Sequence, residues 1–187
     1  SDQPVSHSVY PKVLGDGPLE LVMTGIRQLI PRVRAYEFRD PKRGELPVVE
    51  AGAHLQVPVQ LDNGETAIRH YSICSNPARR DIYEISVLHE PDGLGGSHAI
   101  HENYYLGLVL RCEFPKNHFQ LHKDKRPAVL IAGGIGITPI KAMAQALQTR
   151  GVNLNLHYAG RSRGEMAFRD RLEREFGNKI TIYSSAD

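Results

Sequence analysis

The chain of 187 residues has only two cysteines, Cys74 and Cys112, and no C-x-x-C pair. Two thiolates cannot complete a zinc site or hold an iron–sulfur cluster on their own. They give no disulfide framework either, so a reducing cytoplasm is the expected setting. Charge of one sign is also scarce: 23 Lys and Arg stand against 21 Asp and Glu, a formal net charge of +2. So small an excess gives no ground for a nucleic-acid partner. No apolar run approaches the roughly 18 residues of a spanning helix, and no charged-then-apolar leader is visible. No membrane partner is therefore expected. The chain opens on Ser1 rather than Met, so it is expected to be processed, tagged or cut from something longer.

What is present is ordinary for a globular protein: 41% apolar and 24% charged residues. The length allows one large domain or two small ones. Residues 1–18 carry Pro4, Pro11, Gly15, Gly17 and Pro18 among polar residues and are expected to form a tail or linker. Residues 19–122 show short strands. Apolar side chains alternate in His54–Leu61, with Pro58 hinting at an edge, and again at Tyr83, Ile85 and Val87. Leu19–Thr24 and Leu108–Phe114 are further candidates, and Asp62-Asn63-Gly64-Glu65 is a turn. Several short strands between Gly/Pro/Asn turns predict an antiparallel barrel or sandwich.

Residues 127–187 change pattern. Ala128–Ala132 is continuously apolar, as expected of a strand buried on both faces. A helix follows, with Ile140, Met143, Ala144 and Leu147 on one face, Thr138 as N-cap, Pro139 at the first helical position and Gly151 at the end. A strand over Leu154–Tyr158, a helix over Glu165–Phe176 and a strand from Ile180 complete a β-α-β-α-β unit, hence a parallel sheet. The second helix is expected to carry the pairs Glu165–Arg169, Asp170–Arg174 and Arg171–Glu175. A doubly wound domain usually has five or more strands, so this sheet is expected to be truncated.

Three segments can carry chemistry. Gly133-Gly134-Ile135-Gly136-Ile137-Thr138-Pro139 lies between strand and helix, where free N–H groups and a helix dipole suit a pyrophosphate. It is neither G-x-G-x-x-G nor a P-loop. A plain tight turn is the alternative; three glycines with Thr-Pro in this context favour the ligand. Arg69-His70-Tyr71-Ser72 places a cation and a ring on one strand face and a hydroxyl on the other. By itself it reads as an ordinary amphipathic strand. Gly95-Gly96-Ser97, before a helical stretch at His98–Glu102, offers backbone N–H groups to a phosphate, or is simply a flexible loop. The pairs His98/His101 and His118/His122 read as surface histidines, and His122–Arg126 as a solvated linker.

The three segments in this order resemble the ferredoxin–NADP reductase superfamily. Within it the chain is most similar to the flavin reductase components of Rieske-type oxygenases, such as the phthalate dioxygenase, vanillate demethylase and carnitine monooxygenase reductases. Phe114–Phe119 and Leu156–Arg163 with Ala167-Phe168 also resemble their pattern. The resemblance implies a Greek-key antiparallel flavin barrel of about six strands, followed by an α/β parallel-sheet nicotinamide-binding domain.

The resemblance also implies roles. Arg69, with Gly95, Gly96 and Ser97, would hold the flavin phosphate. Tyr71 would pack on the flavin, Ser72 would bond near the hydride-accepting N5, and the backbone of Ile85 to Val87 would line the ring. Gly134, Gly136 and Thr138 would bind NADH or NADPH, with Thr138 near the flavin edge. Arg161 and Arg163 lie where the adenosine ribose is expected. FMN is implied first and FAD as the alternative, with a [2Fe–2S] cluster only in a domain or partner outside this chain. Departures are Leu94, where relatives often have Arg, and Gly107-Leu108, where they often have Gly-Asp. The late Cys-Gly-Pro segment and the Cys-rich cluster domain are not in this chain. A stand-alone ferredoxin or flavin reductase, or a non-catalytic flavin-binding fragment, is the alternative function.

Overall fold

The computed structural model describes residues 11–91, 93 and 95–186. Leu94 and residues 1–10 of the expected tail lie outside this set.

Two sheets enclose the first core. Strands β1 (Val13–Gly15), β2 (Leu19–Ile30), β3 (Val33–Arg39), β4 (Ala53–Gln60), β5 (Thr66–Ser72), β6 (Tyr83–Leu88), β7 (Val109–Cys112) and β8 (Lys116–Asn117) run through this half, with helix α1 (Gly96–Asn103) between β6 and β7. One sheet has the order β1-β7-β2-β3-β6, the other β5-β4-β8. The six longer strands, β2 to β7, make the expected barrel, which does not close by hydrogen bonds between its sheets. Val13–Gly15, placed by sequence in the tail, instead pairs in parallel with Val109–Arg111. The alternation in β4 does what a period of two must: Leu55, Val57 and Val59 are buried against Leu21, Tyr36, Phe38, Ile85 and Val87. Asn117 Nδ2 donates to the Ala51 carbonyl, which fixes the Pro115–Phe119 segment against β4.

The second half is β9 (Ala128–Gly133), α2 (Ile137–Thr149), β10 (Leu154–Gly160), α3 (Arg169–Phe176) and β11 (Ile180–Ser184), with parallel order β11-β10-β9. Four local expectations are corrected. Thr138 lies inside α2, whose cap is Gly136; its hydroxyl donates to the Ile135 carbonyl at 3.2 Å. The second helix starts at Arg169 rather than Glu165, because Phe168 takes a left-handed φ of 62°. In place of the expected pairs, its ion pairs among the described residues are Arg169–Glu173 at 2.9 Å, Arg169–Asp170 at 3.1 Å and Arg163–Glu173 at 3.4 Å. Strand β9 is buried on one face only: Val129 and Ile131 are 65% and 74% exposed. Both crossovers advance across the sheet in the same direction, so right-handed connections set α2 and α3 on the same face.

His101 also departs from the surface reading. It is half-buried, its Nε2–H donates to the Val87 carbonyl at 2.8 Å, and its ring stacks on His89. Burial, then the charges of Arg34 and His89, lower its pKa against the opposing pull of the Val87 carbonyl and Glu102. Folding therefore disfavours the imidazolium. The cost is absent above the unfolded pKa near 6.5 and grows as pH falls below it. Thermal unfolding between about pH 7 and pH 5 is expected to show falling stability, with a shallower fall in His101→Gln. A parallel fall in both proteins would refute the assignment.

Candidate functional site

Strand β5 turns Arg69 and Tyr71 towards the barrel interior, opposite Val57 and Leu55 of β4, and ends on Ser72. Burial, reinforced by Glu90, pushes the Tyr71 phenol up to about 12, so it keeps its proton at neutral pH. The hydroxyl of Ser72 makes no side-chain hydrogen bond with any described residue.

Helix α1 begins beside this strand. Gly95, at a φ of 85°, is its N-cap and Gly96 its first residue. A Cβ on Gly96 would overlap the Arg69 side chain, lying 2.7 Å from Cγ and 2.8 Å from Cδ. The missing side chain is what lets Arg69 lie across the first turn of α1. Ser97 Oγ accepts from the Glu90 N–H at 2.9 Å and pins the loop that leads in. Arg69 and Gly95-Gly96-Ser97, well separated in sequence, thus form one corner where a cation and free helix N–H groups converge.

The glycine loop closes the opposite side. Gly134–Gly136 form a 3-10 turn after β9, with Gly134 at a φ of 54°. A Cβ at Gly133, Gly134 or Gly136 would meet no protein atom within 4 Å. Only Gly134 needs glycine for its backbone angle; the rest of the loop presents bare backbone to open space. Tyr71, Ser72, Ser86 and Leu88 face Ile135, Gly136 and Thr138 across a cleft of about 340 Å³. A hollow of about 260 Å³ adjoins it, sharing Leu88 and Ile135 and adding Gly134 and Arg161.

Two expectations separate here. Ile85 and Val87 are wholly buried in the barrel core, and neither lines the cleft. Ser86, between them, is the side chain that reaches the cleft. Alternation along β6 carried that signal: if Ile85 and Val87 point in, Ser86 points out. Arg163 does not join Arg161. It lines a different hollow with Arg27 and Arg169 and lies 3.4 Å from Glu173. A further hollow of about 460 Å³, between Ala51, Pro77 and Arg150, contains none of the expected residues.

Lys141 of α2 was invisible to sequence reasoning. It is 1% exposed, and its ammonium donates to the Cys74 carbonyl at 2.7 Å. Burial lowers its pKa, opposed by Cys74, Glu84 and Glu175. A lone lysine on an apolar helix face gives no sign that it will be covered.

A model of the oxidoreductase FAD-binding domain matches residues 20–121. The chain belongs to that family. Among its relatives is the vanillate O-demethylase oxidoreductase of Acinetobacter baylyi, 38% identical over 88% of this chain and 51% of that protein. The solved phthalate dioxygenase reductase superposes with a TM-score of 0.82 at 32% identity, covering 90% of this chain and 52% of that one. An intact type IV self-sufficient cytochrome P450 monooxygenase gives a TM-score of 0.81 at 34% identity, over 98% of this chain and 23% of its own. The chain spans about half the length of the curated vanillate O-demethylase oxidoreductases it matches. The resemblance to reductase components of oxygenase systems holds, and so does the expected pairing of a flavin-family barrel with an α/β unit. Among the described residues no helix is long and apolar enough to cross a membrane.

Proposed function

We propose that this chain forms the flavin-binding and part of the nicotinamide-binding region of an NAD(P)H-dependent reductase that serves an oxygenase. The observation that carries it is the meeting of Ser72, at the end of barrel strand β5, and Thr138, in the first turn of α2, across one cleft. A bound flavin supplies the redox chemistry, taking two electrons as hydride and passing them on singly. The chain's own residues bind and orient. Arg69 and the first turn of α1 neutralise a phosphate, and Tyr71 offers an aromatic face with a protonated phenol. Ser72 presents at the cleft wall a hydroxyl that bonds to no other described residue. Gly134, Gly136 and Thr138 bring bare backbone and one hydroxyl to the opposite wall for the nicotinamide dinucleotide. Arg161, in the adjoining hollow, takes the adenosine end. Arg163 is held by Glu173 and faces elsewhere, so the proposal leaves it out.

The bound group fits the residues present. The volume is within the range of small-molecule sites, and the phosphate corner depends on a glycine whose Cβ would displace Arg69. FMN is proposed first and FAD second. The electron acceptor is an iron–sulfur domain or protein outside this chain, since Cys74 and Cys112 are both buried and unpaired. Those free thiols also support a reducing compartment such as the cytoplasm.

The test is anaerobic addition of NADH or NADPH to the flavin-loaded protein, with the released chromophore identified by mass. Loss of flavin absorbance is expected. A flavin that stays oxidised with both nucleotides would leave only a flavin-binding module. Release of FAD would move the assignment towards ferredoxin or flavin reductases.

A further inference from the structure

We propose that Lys141 is the positioning residue that holds the nicotinamide wall of the cleft against the flavin wall; this rests on the reading given under Proposed function. Lys141 lies one turn after Thr138 on α2, and Cys74 lies two residues after Ser72. The bond from Lys141 Nζ to the Cys74 carbonyl at 2.7 Å therefore joins the two walls close to the pair of hydroxyls that face across them.

The surroundings of the ammonium are built for one direction. It contacts Gln145 Oε1 at 3.4 Å and lies 5.1 Å from the centre of the Phe168 ring. Gln145 Nε2 in turn donates to the Glu175 carboxylate of α3 at 3.2 and 3.3 Å. Packing alone does not call for a lysine here. A buried ammonium is costly, and an apolar side chain of similar shape fills such a space at least as well. What only the ammonium adds is a directed bond across the boundary between the two halves. Around it, Val33, Ala51 and Cys74 from the barrel pack with Met143 and Leu147 of α2, an apolar contact that does not by itself fix distance or rotation. Hydride transfer is sensitive to such freedom, because a displacement of about 1 Å can cost on the order of a hundredfold in rate.

The experiment compares wild type with Lys141→Met, which keeps the stem and loses the bond, and with Lys141→Arg, which keeps a cation. Anaerobic stopped-flow reduction of the loaded flavin is measured at saturating nucleotide, with protiated and C4-deuterated nucleotide. Lys141→Met is expected to bind flavin within about twofold of wild type. Its limiting reduction rate should fall at least about tenfold, with a changed isotope effect, and Lys141→Arg should recover most of the rate. A rate and isotope effect unchanged in Lys141→Met would overturn the proposal. So would a lower melting temperature without any change in the reduction step, because that is all a merely structural lysine would give.

If wild-type flavin is not reduced by either nucleotide, the function above fails, and the tie is then read by amide hydrogen exchange. At residues 73–76 and 134–141, exchange at least about tenfold faster in Lys141→Met supports the tie, and equal exchange overturns it. Should Lys141→Met not fold, Lys141→Gln takes its place in both measurements.

Discussion

Flavin binding is expected to weaken about 10- to 150-fold when Arg69 is replaced by alanine. Hydrogen bonds to charged groups contribute about 1.5–3 kcal/mol, which converts to that range of dissociation constants. The loss should appear in flavin titration or equilibrium dialysis, with little change in fold, since Arg69 is only half-buried and the β4–β5 pairing at its position is made by backbone. Gly96→Ala gives the matching result from the other side. The new Cβ would take the space of Arg69 Cγ and Cδ, so the guanidinium swings away and affinity falls although no charge is lost. In an Arg69→Ala background the same glycine change should be nearly neutral, because the two residues share one contact. Flavin affinity unchanged in Arg69→Ala would remove the phosphate corner from the proposed function.

A second large effect is expected at Gly52, and it concerns stability. Gly52 has a φ of 98°, and its missing side chain faces the Phe119 carbonyl oxygen, with Met143 Cε at 3.0 Å and Asn117 Oδ1 at 3.1 Å. Gly52→Ala adds left-handed strain to a collision with backbone that cannot rotate aside. Each effect costs on the order of 1–3 kcal/mol, so a total of about 3 kcal/mol or more is expected. For a chain of this size that lowers the melting temperature by roughly 6–12 °C. Gly64→Ala is the control. Gly64 has a φ of 85° but nothing within 4 Å, so it carries the strain without the collision. Equal losses at Gly52 and Gly64 would show that the contact with the Phe119 carbonyl is of no consequence.

Gly52 also shows where sequence reading stopped. Pro115–Phe119 was legible as a segment similar to those of a reductase family, but not as the piece that receives Gly52 and bonds Ala51 through Asn117. That contact joins residues far apart in the chain and has no local signature. Ser86 is the opposite case, since alternation alone placed it outward between Ile85 and Val87. Lys141 lies beyond both kinds of inference: helical spacing puts it beside Thr138, yet its burial depends on the Cys74 loop arriving from the barrel.

By itself the sequence determined what is set by near neighbours. The alternation of β4 and β6, the glycine loop between β9 and α2, and the left-handed Gly95 before α1 all follow from side-chain period and backbone freedom over a few residues. It also determined which residue types are available: one arginine for a phosphate corner, hydroxyls at 72 and 138, and too few cysteines for a cluster. The tertiary structure decided which of these meet. Arg69 lies over Gly96 because α1 packs against β4 and β6 and so brings its first turn to the Arg69 side chain. Arg161 lines the hollow beside the cleft and Arg163 does not, because Glu173 of α3 holds the second. The outer face of β9 stays open because both crossovers carry their helices to the same side. Near-neighbour forces fix the elements, but facing and contact depend on chain connections and on one shared core.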